Sequence, residues 1–213
     1  MNYLNENVTI CDHPLIKHKL SILRNVNTGT SEFRLVMQEL SLLIGYEAMK
    51  NLKLKHIEIQ TPIELVKCPV LEGPDPVLVP ILRAGLGMCD GLLKLIPNAK
   101  VGHIGVSRDK TTFEAKEYLC KMPSSIEERN IYVMDPMLAT GGSAIAAVDS
   151  IKKCGGKDIT FLCVIASPTG VRALSTAHPD IKIVIGNLDR DFNEHAFVCP
   201  GFGNAGDRYF GTE

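Results

Sequence analysis

From Val77 onward, short apolar runs alternate with amphipathic segments, and this alternation limits the fold more than any other feature of the chain. Val77 to Ile81 is a compact apolar run, followed by Arg83-Ala84-Gly85 and a helical pattern through about Leu95. Val101 to Ser107, Asn130 to Met134, Asp158 to Ala166 and Ile181 to Ile185 read as further strands. Between them lie helical segments at Ala144 to Lys153, closed by Gly155-Gly156, and at Gly170 to Ala177. Apolar strands separated by helices predict an α/β fold, a parallel sheet flanked by helices on both faces.

The residues ahead of this core differ in texture. Asp12-His13-Pro14 reads as a helix start, with Pro14 suited to the first turn, and Thr28-Gly29 ends that segment. A longer helix from about Ser31 to Lys50 carries Phe33, Val36, Leu40 and Ile44 at helical spacing. His56 to Val70 alternates weakly and contains Thr61-Pro62 and Cys68-Pro69, which predicts strands or a hairpin at a sheet edge. With 213 residues, no internal repeat and no low-complexity linker, the expected organisation is one domain over 1–213. It divides into a helical arm with edge strands (1–70), an α/β core (71–190) and a C-terminal segment (191–213).

Composition removes several function classes. A formal net charge of -1 argues against a nucleic-acid or membrane surface. No apolar run has the ~18 residues of a spanning helix, and the polar start from Met1 to Cys11 does not resemble a signal peptide, so a cytoplasmic location is expected. The seven cysteines contain no C-x-x-C pair and read as free, mostly buried thiols in a reducing compartment. His13 and His18 are five apart rather than the four that aligns ligands on a helix face, so no side-chain metal cluster is expected.

The most informative segment runs from Ile131 to Ser143. A strand delivers Asp135, then Pro136-Met137-Leu138-Ala139 and Thr140-Gly141-Gly142-Ser143 lead into the next helix. Such a loop can turn backbone N–H groups toward one point at a helix N-terminus, where an anion is favoured. Thr140 and Ser143 add hydroxyl donors. No lysine follows the glycines, as a nucleoside-triphosphate loop requires, and their spacing is not that of a dinucleotide fingerprint. A carboxylate placed before a phosphate cradle suits the paired hydroxyls of a ribose 5-phosphate. Pro80 to Met88 sets Arg83 between a strand end and a glycine-bearing helix start, where a guanidinium can fork onto a diphosphate while nearby amides share the load. Val198 to Asp207 reads as too glycine-rich for a helix and too irregular for a strand, which suits main-chain recognition of a flat base.

The string from Ile131 to Ser143 resembles the ribose-phosphate motif of type I phosphoribosyltransferases, and its Asp-Pro-Met-Leu-Ala-Thr-Gly-Gly-Ser form resembles the uracil phosphoribosyltransferase family. His13 to Leu20, Pro80 to Met88, Ala177 to Asp180 and Phe210 to Thr212 are similar to that family too, so the resemblance covers nearly the whole chain. It implies the type I phosphoribosyltransferase fold with an N-terminal helical arm and a small β hood, acting on uracil and 5-phosphoribosyl 1-diphosphate (PRPP) to give uridine monophosphate (UMP) and diphosphate. Arg83, Arg108 and Asp135 would be catalytic, with the loop from Pro136 to Ser143 and Asn204 also holding PRPP. Val198, Gly203, Asn204 and Ala205 would bind uracil. Magnesium would come bound through the substrate rather than held by protein ligands. A homodimer or higher homo-oligomer and a GTP activator are implied as well.

Three departures stand out. Asn204 takes the place of an acid, Ser107 that of a tyrosine, and Ala115-Lys116 that of a proline-containing pair in a mobile loop spanning Asp109 to Lys116. They leave a second reading, a PRPP- or nucleotide-sensing regulator of the same fold with weak or absent turnover.

Overall fold

In a computed structural model, which describes residues 6–108 and 115–212, the apolar runs become strands of one sheet. Strand β1 (Val8–Ile10) is followed by helices α1 (Pro14–Arg24) and α2 (Thr30–Ala48), and then by the hairpin β2 (Leu54–Gln60) and β3 (Leu65–Leu71). The core continues as β4 (Val77–Leu82), α3 (Leu86–Leu95), β5 (Lys100–Val101), β6 (His103–Arg108), β7 (Ala115–Lys121) and β8 (Asn130–Met134). After these come β9 (Met137–Leu138), α4 (Gly142–Lys153), β10 (Asp158–Ala166), α5 (Pro168–Ala177) and β11 (Lys182–Leu188). The short β12 (Asp191–Phe192), β13 (Val198–Cys199) and α6 (Ala205–Phe210) close the chain.

Among the described residues the sheet has nine strands, ordered β1-β11-β10-β8-β4-β6-β7, with β5 beside β4 and β9 beside β10. All pairings are parallel except that of β6 with β7. Both edge strands of this sheet lie outside the sequence-based expectation. β1 sits in the polar N-terminal stretch and pairs with β11, and β7 turns back as an antiparallel edge. An edge strand needs only one covered face, so neither has the continuous apolar run that marks a central parallel strand.

Period-two alternation sorts the core. Tyr132 and Met134 of β8 face the layer of α1, α2 and α3 with Leu20, Phe33, Leu40, Met88 and Leu92, whereas Ile131 and Val133 face α4 and α5 with Ala147, Ile151, Val171 and Leu174. Helix α1 begins as Pro14 foretells: His13 Nδ1 accepts from the Leu15 N–H at 3.1 Å, and proline fills the first turn. Phe33 is fully buried and meets Phe202 edge-on at 5.9 Å, a burial contributing about 1.5–3 kcal/mol. This contact also ties α2 to the C-terminal segment.

The hairpin β2–β3 is not at the edge of the sheet. It forms its own two-stranded antiparallel unit, with β2 exposed along its whole length. Neither face is covered, which accounts for the weak alternation in its sequence.

The strand order places the site. From β4 the chain passes through α3 to β6 on one side, then returns to lay β8 on the other side of β4. The loops leaving the C-terminal ends of β4 and β8 therefore diverge and leave a crevice, where open α/β sheets bind ligands.

Candidate active site

The loop after β8 is clamped to its surroundings. The Asp135 N–H donates to Leu162 O at 3.2 Å, and Pro136 O accepts from the N–H groups of both Val164 and Ile165 at 3.1 Å. Met137 and Leu138 run beside β10 as β9. Gly141 turns the chain into α4 at φ 89°, a left-handed conformation that glycine adopts without steric cost. The N-cap of α4 is Gly141, which makes no side-chain capping bond.

Ser167, wholly buried, was not singled out in the sequence. Its Oγ donates to Ala139 O at 2.5 Å and accepts from the Gly170 N–H at 2.8 Å, and its own N–H donates to Leu138 O at 2.9 Å. One serine thus caps α5 and pins the phosphate-type loop. Gly170 completes the contact, since a Cβ there would lie 2.4 Å from Ala139 O. The local signal, serine before proline at a helix start, was present but pointed only to a cap.

Arg83 leaves the end of β4 across a cis Leu82–Arg83 peptide. Its Nη2 donates to Asp207 Oδ1 at 3.3 Å, and its guanidinium lies 5.7 Å from the centre of the Phe210 ring. Three of the amides that follow are engaged within the turn itself. Those of Gly85, Leu86 and Gly87 donate to Ile81, Arg83 and Ala84 carbonyls within the turn. Gly85 serves close packing, since a Cβ there would lie 2.5 Å from Met134 O of the neighbouring strand. Arg108 ends β6; its side chain, and residues 109–114 of the loop read as mobile, lie outside the described residues.

The C-terminal run corrects a second expectation. Val198 and Cys199 form β13 against β12, and a one-and-a-half-turn helix, α6, starts at Ala205. Asn204 is its N-cap, with Oδ1 accepting from the Asp207 N–H at 3.2 Å. Two glycines with positive φ, Gly201 (φ 60°) and Gly203 (φ 80°), precede the helix, and Gly206 lies in its first turn. Val198 and Ala205 are buried. Behind the run, Asp189 accepts from both Arg24 terminal nitrogens at 2.8 and 2.5 Å, from the Gly201 N–H and from Asn187. Arg208 donates to the carbonyls of Leu23, Asn25, Thr28 and Phe202, so α1 and the turn after it hold the segment in place.

A cavity of about 260 Å³ opens where these parts meet. Asp135, Met137, Leu138, Ala139, Gly141 and Ser143 form its floor, and Asn204 one wall. Pro136, Thr140 and Gly142 belong to the same loop, though the cavity is not lined by them. Arg83, Val198, Gly203 and Ala205 are not on the lining. The opposite wall, His195-Ala196-Phe197, comes from the β12–β13 turn and was missed. The turn is closed by Asn193, whose Oδ1 accepts from the N–H groups of His195 and Phe197, while Ala196 adopts φ 61°. Asn193 was the available turn signal, but nothing local says what the turn covers.

A phosphate-type loop at a strand-order reversal, facing an arginine turn and roofed by a small hairpin, defines the type I phosphoribosyltransferase class. An adenine phosphoribosyl transferase from Trypanosoma brucei shares the fold, with a TM-score of 0.56 at 14% identity over 85% of both chains. A solved protein from Aquifex aeolicus is much nearer, with a TM-score of 0.91 at 34% identity over 95% of this chain and 97% of that one. Proteins named uracil phosphoribosyltransferase from Clostridium novyi and Geobacillus kaustophilus are 55% and 52% identical over 206 residues, 97% of this chain and 99% of each relative. Residues 10–212 match the family described as uracil phosphoribosyltransferase, and the chain belongs to that family.

Proposed function

We propose that the chain transfers the 5-phosphoribosyl group of PRPP to uracil, giving UMP and diphosphate, as a step of pyrimidine salvage. The observation that carries this reading is the cavity where the Asp135 loop, the uncapped start of α4 and Asn204 face one another. Ala139 to Ser143 would take the 5-phosphate, and the Asp135 carboxylate would orient the ribose hydroxyls. Uracil would lie near Asn204, read by main-chain groups of Val198 to Ala205. As a ring nitrogen bonds to the anomeric carbon, the bond from that carbon to diphosphate breaks. Arg83 and Arg108 would stabilise the charge growing on the departing diphosphate.

Among the described residues no group of His, Cys, Asp and Glu could cage a metal. A magnesium ion that keeps its coordination to substrate oxygens needs no such cage, and the Asp135 carboxylate on the cavity lining is the kind of hard oxygen donor that suits it. When bound, the ion supplies further neutralisation of the diphosphate.

Homo-oligomerisation belongs to the same reading. The β2–β3 hairpin exposes Leu54, Ile57, Ile59, Leu65 and Leu71, and an isolated hairpin is marginal in water, so a second copy of the chain would cover it. Activation by GTP rests on the resemblance alone. A cytoplasmic location is supported by the seven unbridged cysteines; among the described residues no helix is long and apolar enough to cross a membrane. The regulator reading has no observation in its favour.

Incubation with PRPP, magnesium and uracil, cytosine or hypoxanthine, with and without GTP, tests the proposal. UMP and diphosphate should form in equal amounts with uracil. Their absence under all conditions would return the chain to the regulator class.

A further inference from the structure

Residues along a strand alternate between faces, so Glu117 and Cys120, three apart on β7, should point to opposite sides. The β6–β7 register prevents this. Leu119 lies opposite Gly105 and Glu117 opposite Val106, which leaves Tyr118 as the extra residue of a bulge. Cys120 then stands opposite Ile104. Ile104 and Val106 share a face of β6, so Cys120 and Glu117 share a face of β7. On α4, Ser150 and the C-cap residue Cys154 are four apart and lie on one face of the helix. The two faces meet in two contacts: Ser150 donates to Glu117, and Cys120 Sγ lies 3.7 Å from Cys154 Sγ.

We propose that Cys120 and Cys154 form a modification site at which a hydroperoxide converts two thiols to an intramolecular disulfide. Cys154 is exposed and reacts first. Its sulfur attacks a peroxide oxygen, the O–O bond breaks, and the departing oxygen takes the thiol proton. Cys154 becomes a sulfenic acid. Cys120 sulfur then attacks Cys154 sulfur, the S–S bond forms, and the S–O bond breaks with release of water carrying the Cys120 proton. Two thiols are oxidised and one peroxide is reduced to two waters, or to water and an alcohol. Burial first, then the contact with Cys154, pushes the Cys120 thiol up to about 11, so it waits as the resolving partner. Bond formation has to close the 3.7 Å between the sulfurs to about 2.05 Å, at a strand edge and a helix end. The deeply placed Cys11 and Cys89, pushed up to about 11 by burial, and the wholly buried Cys163 are shielded from the same oxidant. In a reducing compartment the bond would form under oxidant and be reversed by dithiols.

The full chain, treated with hydrogen peroxide at neutral pH, alkylated and digested, should yield two peptides joined through Cys120 and Cys154. The joined pair should weigh two hydrogens less than the free peptides and should separate in dithiothreitol. Cys120→Ser should leave a dimedone-reactive sulfenic acid on Cys154, and Cys154→Ser should show neither product; thermal melting reports whether each variant folds, and the wild-type map stands without them. The proposal is overturned if both wild-type thiols stay alkylatable, if Cys154 passes to a sulfinic acid while Cys120 remains free, or if either joins another cysteine or another copy.

Discussion

Arg83 Nη2 and Asp207 Oδ1 lie 3.3 Å apart, joining the turn after β4 to helix α6, although the residues are 124 positions apart in sequence. The pair is open to water on the Arg83 side, 59% exposed against 15% for Asp207, so it adds little to stability. Its consequence is positional: it fixes the Arg83 guanidinium against α6, from a turn in which the amides of Gly85, Leu86 and Gly87 are already engaged.

Replacing Asp207 by Asn should therefore act on substrate binding more than on folding. KM for PRPP should rise roughly five- to tenfold, the equivalent of about 1 kcal/mol, with melting nearly unchanged. Steady-state kinetics beside thermal melts check this; a large loss of stability with unchanged KM would make the pair a purely structural contact.

Asp135→Asn removes the carboxylate proposed for the ribose. A charge-assisted contact of about 1.5–3 kcal/mol implies roughly ten- to hundredfold lower activity with PRPP, with uracil recognition less affected. Kinetics within twofold of wild type would mean that Asp135 only shapes the loop.

Asn204→Asp separates charge from structure. Asn and Asp cap helices about equally well, so α6 and its bond from the Asp207 N–H should survive and stability should move by no more than about 0.5 kcal/mol. A change in turnover then reports charge alone. Turnover of uracil should rise while the preference for uracil over cytosine stays as it was. A slower mutant would mark Asn204 as an adaptation of this site.

Asp189 should make the fold acid-sensitive. Burial pushes its carboxyl up, but the Arg24 guanidinium, the Gly201 N–H and Asn187 outweigh burial and hold it below the ordinary carboxylate range. A group depressed in the folded state stabilises at pH above its unfolded value near ~4 and loses that contribution as pH falls through its folded value. Denaturant melts at pH 7 and below pH 4 should show the loss, and Asp189→Asn should flatten it. The same variant should cost about 3 kcal/mol at pH 7, because Arg24 would be left without its partner.

Magnesium removal by a general chelator should abolish nucleotide formation, and a zinc-selective chelator should not. Stoichiometric zinc in the purified protein would contradict a site whose cation arrives with the substrate.

What the sequence determined by itself is whatever depends on neighbours along the chain. Asp135, the loop to Ser143 and the start of α4 are consecutive, so their strand-loop-helix geometry follows from local propensity and a single positive-φ glycine. The start of α1 at His13-Pro14 and the buried strands β4, β8 and β10 were legible for the same reason. Tertiary structure decided what depends on register and on distant partners. Pinning of Ala139 by Ser167, the roof of His195 to Phe197 over the loop and the bulge at Tyr118 are of this kind. So is the placing of Arg83 against Asp207. Each joins segments whose separation carries no periodic trace, and α6 forms within a glycine-bearing run because Asn204 caps it and Arg34 and Asp90 hold its Tyr209 from other helices. Hydrophobic period reports which face of a strand or helix is buried; it says nothing of which remote loop will lie opposite, and the site is made of such oppositions.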